Sequence, residues 1–219
     1  HKKQFPLIKR LGLVHQAFGP DEIGQLPGRI GIGHVRYPTV GVGVLRDAQP
    51  FFYRQPGVLM AHNGNMTNVR EMQEELDEES VHLMSCCDVE PVLCIFALEL
   101  MKIRRRNHRL EDAVQAMDAT LGRIQGAYSL VAALVLDGKE TLLAVRDPKG
   151  IRPAVWGELP QGQGYAVASE SVALDVLNAQ GRGDVAPGEL LAFRHGQAPV
   201  RHQLTEPDPH HCVFEYIYF

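Results

Sequence analysis

Apolar residues recur every three or four positions in the middle of the chain, which is the spacing of a helix with one buried side. Two such stretches, residues 88–104 and 110–124, follow each other directly and predict a pair of helices packed in one layer. Thr67 or Asn68 is placed to begin a shorter helix that runs to Leu76.

Elsewhere the apolar residues form short runs or alternate with other residues, which is typical of β-strands. Strands are predicted for residues 28–37, 58–62, 127–136, 141–145, 154–156, 165–168, 190–193 and 199–202, with a short helix over 169–178. Asn63-Gly64-Asn65 predicts a turn, and Asp137-Gly138 predicts a hairpin. The order of strands, two helices and a run of antiparallel strands fits the α+β class better than alternating βαβ units.

Composition narrows the class of protein. The chain has 219 residues, of which 45% are hydrophobic and 22% charged, and these values suit one domain with a substantial core. Its formal net charge of −4 argues against a chain-wide positive field for nucleic acid, and the basic run at residues 102–109 is interpreted as a solvated helix end. No apolar stretch reaches membrane-spanning length, and nothing resembles a signal peptide. Four cysteines in such a chain are not a secreted disulfide framework, so we expect a cytoplasmic protein.

Both ends of the sequence have the character of cuts through a longer polypeptide. Residue 1 is His rather than Met, and the chain stops at Phe219 inside an apolar run, residues 213–219, that we expect to be a strand. We therefore expect a fragment with further chain on both sides.

Three short segments carry the polar groups that a site for a free amino acid needs. Arg36 follows the first predicted strand, where a guanidinium can hold a carboxylate through two parallel hydrogen bonds. Asp88 precedes a helix and can receive an ammonium group, although helix capping is the alternative. Asn63 and Gly64 offer an amide side chain and a backbone N–H that can stabilise an oxyanion. Each has a plain structural interpretation alone, but together they predict attack on the side-chain carbonyl of an α-amino acid.

A series of segments, taken in order, resembles the class II glutamine amidotransferases. They are residues 31–39 (GIGHVRYPT), 48–51 (AQPF), 62–65 (HNGN), 88–90 (DVE), 126–130 (GAYSL), 146–153 (RDPKGIRP) and 169–171 (SES). The run at residues 212–219 (CVFEYIYF) resembles in particular the amidophosphoribosyltransferase family, which carries out the first committed step of purine synthesis.

The resemblance implies an N-terminal-nucleophile hydrolase fold, a four-layer αββα sandwich of two antiparallel sheets between helix layers. It implies that Arg36 binds the glutamine carboxylate with Thr39 beside it, and that Asp88 and the Gly64 carbonyl take the α-ammonium group. The Asn63 amide and the Gly64 N–H would form the oxyanion hole. We interpret the two nearby histidines, His34 and His62, as satisfied strand residues rather than as acids or bases.

The resemblance also places parts of the enzyme outside these residues. In the family the nucleophile is a cysteine at the mature N-terminus, activated by its own α-amino group, and we expect it upstream of His1. The expected boundaries are an N-terminally truncated class II glutamine amidotransferase domain over residues 1–205 and the start of a connection to a phosphoribosyltransferase domain over residues 206–219. By itself the chain is expected not to hydrolyse glutamine.

The implied ligands are glutamine and, through the phosphoribosyltransferase domain alone, phosphoribosyl pyrophosphate. We expect no cofactor in this chain, whereas the parent enzyme uses Mg²⁺ and, in some members, an iron–sulfur cluster for which Cys212 matches a ligand position. We expect neither nucleic acid nor a membrane as a partner, and we expect the full enzyme to be a homo-oligomer.

Two other functions stay open. One is a catalytically dead module that senses glutamine or binds a partner, which an Arg36–Asp88 pair without a nucleophile would suit. The other is a different class II enzyme, such as a glucosamine-phosphate or asparagine synthetase, against which the run at residues 214–219 argues.

Overall fold

Two antiparallel sheets form the framework of the domain in a computed structural model that describes residues 5–36 and 43–218. The strands are β1 (Phe51–Tyr53), β2 (Val58–Met66), β3 (Gly126–Leu136), β4 (Lys139–Arg146), β5 (Val155–Leu159), β6 (Gly164–Ala168), β7 (Gln180–Asp184), β8 (Glu189–Phe193) and β9 (Val200–Gln203). The larger sheet has six strands in the order β1-β2-β3-β4-β8-β9, and the smaller has three in the order β6-β5-β7.

Helices pack on the larger sheet around one core. The helices are α1 (Val14–Ala17), α2 (Pro20–Gly24), α3 (Val69–Glu78), α4 (Val89–Lys102), α5 (Leu110–Leu121), α6 (Ser171–Val176) and α7 (Val213–Tyr218). α4 is apolar on nearly every side because α3 and α5 flank it and the sheet lies beneath it, so that Ile95 and Phe96 are fully buried. The predicted pair of adjacent helices is confirmed. Within the described residues, no helix combines the length and apolar composition that crossing a bilayer requires.

A second, smaller core separates the two sheets. Phe193 of β8 meets Trp156 and Tyr165 of the smaller sheet, with ring centroids 6.0 and 5.5 Å apart. Ala144 and Leu191 of the larger sheet belong to the same buried cluster. Because aromatic rings bury large apolar areas, this cluster holds the sheets face to face. With α6 packed on β5 and β6, the layers follow the expected αββα order.

Asp137 and Gly138 form the turn between β3 and β4, as predicted. Their φ values are 52° and 72°, the left-handed conformation that a type I′ turn requires at both central positions. Asp137 Oδ2 also accepts a hydrogen bond from the Leu110 N–H at 3.3 Å and one from Arg194 at 2.8 Å. The turn therefore anchors the beginning of α5 as well as the hairpin.

The strand predicted over residues 28–37 is wrong across its described part, because residues 28–36 are irregular. Gly31 and Gly33 bring no side chains to a sheet face, and no atom of the described residues beyond their chain neighbours lies within 4 Å of where their Cβ atoms would be. Glycines in such open surroundings make none of the cross-strand contacts that stabilise a strand.

The apolar run near Phe219 is helical rather than extended, so the strand expected there is also wrong. Its aromatic and β-branched residues favour a strand, but a helix satisfies its backbone groups without a neighbouring strand. Glu215 of α7 forms an ion pair with Arg152, and the Asp208 N–H donates to the Pro148 carbonyl at 2.9 Å. These contacts fix the segment against the loop that follows β4.

Candidate functional site

β2 passes straight through Asn63, Gly64 and Asn65, so the turn predicted there is wrong. A Cβ on Gly64 would lie 2.4 Å from the carbonyl oxygen of Ala127 and 2.7 Å from the Cα of Tyr128 on β3. Gly64 is therefore required for the close approach of two strands rather than for a turn. The Asn-Gly pair led to the wrong prediction because a tight turn and a close approach of two strands both favour glycine.

The pairing register directs the Gly64 peptide groups away from β3. Gly64 lies opposite Tyr128, whose N–H donates to the Asp147 carboxylate at 3.1 Å and whose carbonyl accepts from the Asp147 N–H at 3.0 Å. Since Tyr128 uses both groups on the β4 side, Gly64 belongs to a non-hydrogen-bonded pair, and its N–H and C=O point to the other side of β2. β1 ends before this point, with Phe51 opposite Met60.

The backbone N–H groups of His62 and Met66, two residues before and after Gly64, point to this same side of β2. The His62 N–H donates to Gln49 Oε1 at 2.7 Å, and the Met66 N–H donates to Asp88 Oδ2 at 2.9 Å. Between them, the Gly64 N–H and C=O have no partner among the residues that the structure describes. This part of β2 therefore presents an available donor and an available acceptor beside a carboxylate.

Asp88 occupies the N-cap position of α4, yet its side chain makes no capping hydrogen bond. Its Oδ2 instead accepts from the Met66 N–H and from the His62 ring, the latter at 3.2 Å. Burial raises the pKa of Asp88, but the hydrogen bonds from His62 and Met66 outweigh burial, so the pKa lies below its ordinary value. Asp88 is a carboxylate held against β2 rather than a helix cap.

Arg36 contacts Asp47, and Asp47 in turn contacts the backbone just before Asp88. Its Nη1 lies 3.3 Å from both the carbonyl oxygen and Oδ2 of Asp47. Asp47 Oδ1 in turn accepts from the N–H of Cys86 at 3.1 Å, two residues before Asp88. Since Arg36 is 29% exposed and its other guanidinium nitrogens are uncommitted among the described residues, it can still bind a carboxylate. Thr39, predicted beside Arg36, lies outside the described residues.

Asn63 has a half-buried carboxamide with no hydrogen-bond partner in the described part of the chain. It lies opposite Ser129 of β3 and immediately before Gly64. An uncommitted amide next to an uncommitted backbone N–H is the donor set that an oxyanion hole requires. The catalytic role of the two residues stays a prediction.

The two histidines near the site differ from each other. His62 is buried with both ring nitrogens hydrogen-bonded, to Gln49 at 3.0 Å and to Asp88 at 3.2 Å, which confirms it as a satisfied strand residue. His34 lies in an irregular segment rather than in a strand. Its ring hydrogen-bonds to the His62 backbone, but its buried Nδ1 has no partner among the described residues, so the interpretation as a satisfied strand residue is wrong for His34. Burial is the main cause that lowers the pKa of His34; the charges of His62 and Arg36 lower it further, and the hydrogen bond to the His62 backbone opposes them.

The sequence analysis singles out neither Gln49, Asp47 nor Glu90 individually, yet all three have side-chain hydrogen bonds to the residues around Asp88. The Glu90 carboxylate accepts from the Met84 N–H at 2.9 Å and from the Ser85 N–H at 2.7 Å, so it fixes the loop that leads to Asp88. Gln49 and Glu90 fall within two of the segments that carry the family resemblance, which is the one signal that could have singled them out.

The buried cysteines are poorly suited to nucleophilic attack. Burial raises the pKa of Cys87 to about 11 and that of Cys94 to about 12, so little thiolate forms at neutral pH. Cys86 is exposed and Cys212 is half-buried.

We therefore expect iodoacetamide at pH 8 to label Cys86 rapidly and to label Cys87 and Cys94 only after unfolding. Peptide mass spectrometry over a time course, with and without denaturant, measures the individual rates. Cys86→Ser should remove the fast phase and leave the slow ones unchanged. Rapid labelling of Cys87 or Cys94 in the folded chain would show that their burial is misjudged.

The chain's own residues do not form a metal site in the part that the structure describes. No group of three or more His, Cys, Asp or Glu side chains gathers there in a way that could hold an ion. Cys212, which matches a cluster-ligand position in the family, lies directly before α7 and belongs to no such group of three in this part of the structure. We derive no chemistry from a metal.

A cavity of about 720 Å³ lies elsewhere, at the beginning of β2 and beside the loop between α4 and α5. Its lining includes Arg104, Arg105 and Arg106 but no Asp or Glu. A site for a zwitterionic amino acid needs an acceptor for the ammonium group, so this cavity does not compete with the Arg36–Asp88 site.

Comparison with known proteins gives one family. Residues 34–176 match the model of a glutamine amidotransferase domain. The amidophosphoribosyltransferase of Escherichia coli (strain K12) is 42% identical over 221 residues, a span that covers 98% of this chain and 43% of that protein. The amidophosphoribosyltransferase of Pseudomonas aeruginosa is 38% identical, with 100% and 44% covered.

Solved structures agree with the sequence matches. A structure described as the allosteric regulatory enzyme of purine biosynthesis has a TM-score of 0.80 at 28% identity and covers 95% of this chain and 42% of its own. The glutamine phosphoribosylpyrophosphate amidotransferase from B. subtilis, complexed with ADP and GMP, has a TM-score of 0.78 at 27% identity, with the same shares covered. The chain spans less than half the length of these relatives.

Proposed function

The chain belongs to the glutamine amidotransferase domain family, and from this premise we propose that it is the glutamine-hydrolysing part of an amidophosphoribosyltransferase. The observation that supports the proposal is that Asp88 accepts from the Met66 N–H on the side of β2 to which the register directs the Gly64 peptide groups, while Asp47 links Arg36 to the loop before Asp88. No single one of these groups identifies glutamine, but together they match its charged end and its reactive end.

Recognition of the α-amino acid uses opposite charges. The Arg36 guanidinium takes the carboxylate, while Asp88 and the Gly64 carbonyl take the ammonium group. Asp88 suits this role because its carboxylate is ionised at neutral pH and is aimed at β2 rather than at its own helix. Thr39 would contribute beside Arg36.

Hydrolysis begins when a thiolate attacks the carboxamide carbon of glutamine and the carbonyl oxygen gains negative charge. We assign the Asn63 amide and the Gly64 N–H to stabilise that oxygen, since neither has another partner among the described residues. Ammonia then leaves, and water releases glutamate from the thioester. We assign the thiolate to none of the four cysteines: Cys87 and Cys94 have raised pKa values, and neither Cys86 nor Cys212 carries the free α-amine that would serve as a base.

The acceptor of the ammonia is proposed from the relatives. Proteins that match nearly the whole chain are amidophosphoribosyltransferases, and one structural neighbour is named for phosphoribosyl pyrophosphate. We therefore propose that the protein to which this chain belongs transfers ammonia to phosphoribosyl pyrophosphate, with release of pyrophosphate, in purine synthesis.

The test uses the protein encoded by the entire reading frame that contains these residues. We expect glutamine and phosphoribosyl pyrophosphate together to yield glutamate and pyrophosphate, and ammonia to replace glutamine. Asp88→Asn should lose the glutamine-dependent activity and keep the ammonia-dependent activity, since the proposal gives Asp88 a role only in binding the amino acid. Glutamate release without consumption of phosphoribosyl pyrophosphate would indicate another class II enzyme, and the absence of glutamate release would favour a binding module.

A further inference from the structure

A buried hydrogen-bonded relay runs from Gln49 through His62 to Asp88. Gln49 is 8% exposed and His62 is 5% exposed, so water does not compete for these bonds. The Gln49 carboxamide makes two contacts with His62: its Oε1 lies 2.7 Å from the backbone nitrogen, and its Nε2 lies 3.0 Å from ring Nδ1. Ring Nε2 lies 3.2 Å from Asp88 Oδ2.

These contacts determine where the His62 ring carries its proton. The backbone N–H of His62 is a donor, so the atom of Gln49 that faces it must be the oxygen. The Gln49 amide nitrogen, also a donor, then faces Nδ1, which must accept. A neutral ring whose Nδ1 accepts carries its proton on Nε2, and that proton is donated to Asp88.

The relay also governs the charge around Asp88. A second proton on Nδ1 would set two donors against each other across 3.0 Å, so Gln49 opposes formation of the imidazolium. The ring therefore gives Asp88 a hydrogen bond without a positive charge. Asp88 Oδ2 is occupied by this bond and by the Met66 N–H, whereas the side-chain contact of Oδ1 with the described residues is a weak one, with Cys87 Sγ at 3.8 Å.

We propose that Gln49 is a positioning residue that fixes the Nε2–H tautomer of His62 and thereby holds Asp88 as an uncompensated carboxylate with Oδ1 turned toward the ammonium group of the substrate. The role in substrate binding rests on the proposed function, whereas the tautomer does not. Gln49 touches neither the substrate nor the reacting atoms in this arrangement and acts only through His62.

The first test determines the tautomer of His62 directly by NMR. In two-bond ¹H–¹⁵N spectra of the ¹⁵N-labelled 219-residue chain at pH 7, His62 should show a protonated Nε2 and an unprotonated Nδ1. Gln49→Glu replaces the amide nitrogen by an acceptor of the same shape, so Nδ1 should gain a proton while Nε2 keeps its own. Gln55→Glu is the matched control, since Gln55 is exposed and the variant adds the same charge away from the relay.

The second test measures the affinity of the variants for L-glutamine. An imidazolium beside Asp88 competes with the α-ammonium group, so Gln49→Glu should bind L-glutamine at least about tenfold more weakly than wild type, and Gln55→Glu should bind as wild type does. A protonated Nδ1 in the wild-type chain would overturn the proposal, even if Gln49→Glu failed to fold. Unchanged glutamine affinity in a folded Gln49→Glu variant would also overturn it. A wild-type chain with the expected tautomer but no glutamine binding would refute the proposed function and leave the tautomer assignment standing.

Discussion

Asp88→Asn is expected to weaken the binding of L-glutamine roughly 30- to 150-fold, equivalent to about 2–3 kcal/mol. The substitution keeps the shape of the side chain and an oxygen that can still accept from the Met66 N–H, so the fold of β2 and α4 should survive. It removes the negative charge that faces the ammonium group of the substrate, and hydrogen bonds to a charged group are the stronger kind. Titration calorimetry with L-glutamine measures the change.

Asp118→Asn is the matched control for this prediction. Asp118 is exposed on α5, so the variant loses the same charge without touching the site and should bind glutamine as the wild type does. Circular dichroism of both variants checks that folding is intact. Equal affinity in Asp88→Asn and Asp118→Asn would remove Asp88 from the site.

Gly64→Ala is expected to destabilise the domain by about 2–4 kcal/mol and to abolish glutamine binding. The added methyl group would lie 2.4 Å from the Ala127 carbonyl oxygen and 2.7 Å from the Tyr128 Cα, and both are backbone atoms that cannot rotate away. β2 and β3 must therefore move apart at the position where Gly64 offers its N–H and C=O to the substrate. For a domain of this size we expect the melting temperature to fall by roughly 5–15 °C.

Gly24→Ala separates this effect from the general cost of replacing glycine. Gly24 ends α2 and has no positive φ, and among the described residues outside its own helix and chain neighbours no atom lies within 4 Å of the added Cβ. The melting temperature of Gly24→Ala should therefore stay close to that of the wild type. Thermal melts of the three proteins, with and without glutamine, provide the comparison. A Gly64→Ala variant that melts and binds as the wild type does would show that the strands tolerate the methyl group.

Local sequence patterns are sufficient to predict an element when one physical cause within that segment determines its structure. Asp137-Gly138 predicts its hairpin because a type I′ turn needs positive φ at both positions, and few other residues adopt it cheaply. The helix predicted over residues 88–104 is observed as Val89–Lys102 because its apolar spacing is long and regular. Elements of this kind are specified by residues close together in the chain.

Local sequence patterns are insufficient when the conformation of a residue is determined by contacts with a distant part of the chain. Gly64 resembles a turn glycine until β3 is seen beside it. β7 was not predicted because Gly181 and Gly183 interrupt its pattern, yet Gly183 packs against Trp156, with 3.1 Å from the added Cβ position to indole Nε1. Gly64 and Gly183 therefore allow close contacts that only the tertiary structure shows.

The same division applies to the site. Arg36 and Asp88 were predicted from their charges and their places at the ends of elements, and the structure connects them through Asp47. Gln49 is a neutral side chain whose importance depends on two contacts with His62, and no local pattern reveals such contacts. Charged groups proposed to bind a ligand are easier to predict from sequence than a neutral residue proposed to orient them.

Calorimetric titration of the 219-residue chain with L-glutamine and with 4-carbamoylbutanoate, which lacks only the α-ammonium group, tests the central claim most directly. We expect saturable binding of L-glutamine and binding of the analogue at least about 30-fold weaker, because the analogue has no ammonium group to pair with Asp88. We also expect Arg36→Ala to lose binding of both compounds, since both carry the carboxylate. No binding of L-glutamine, or equal binding of the two compounds, would contradict the assignment of this site.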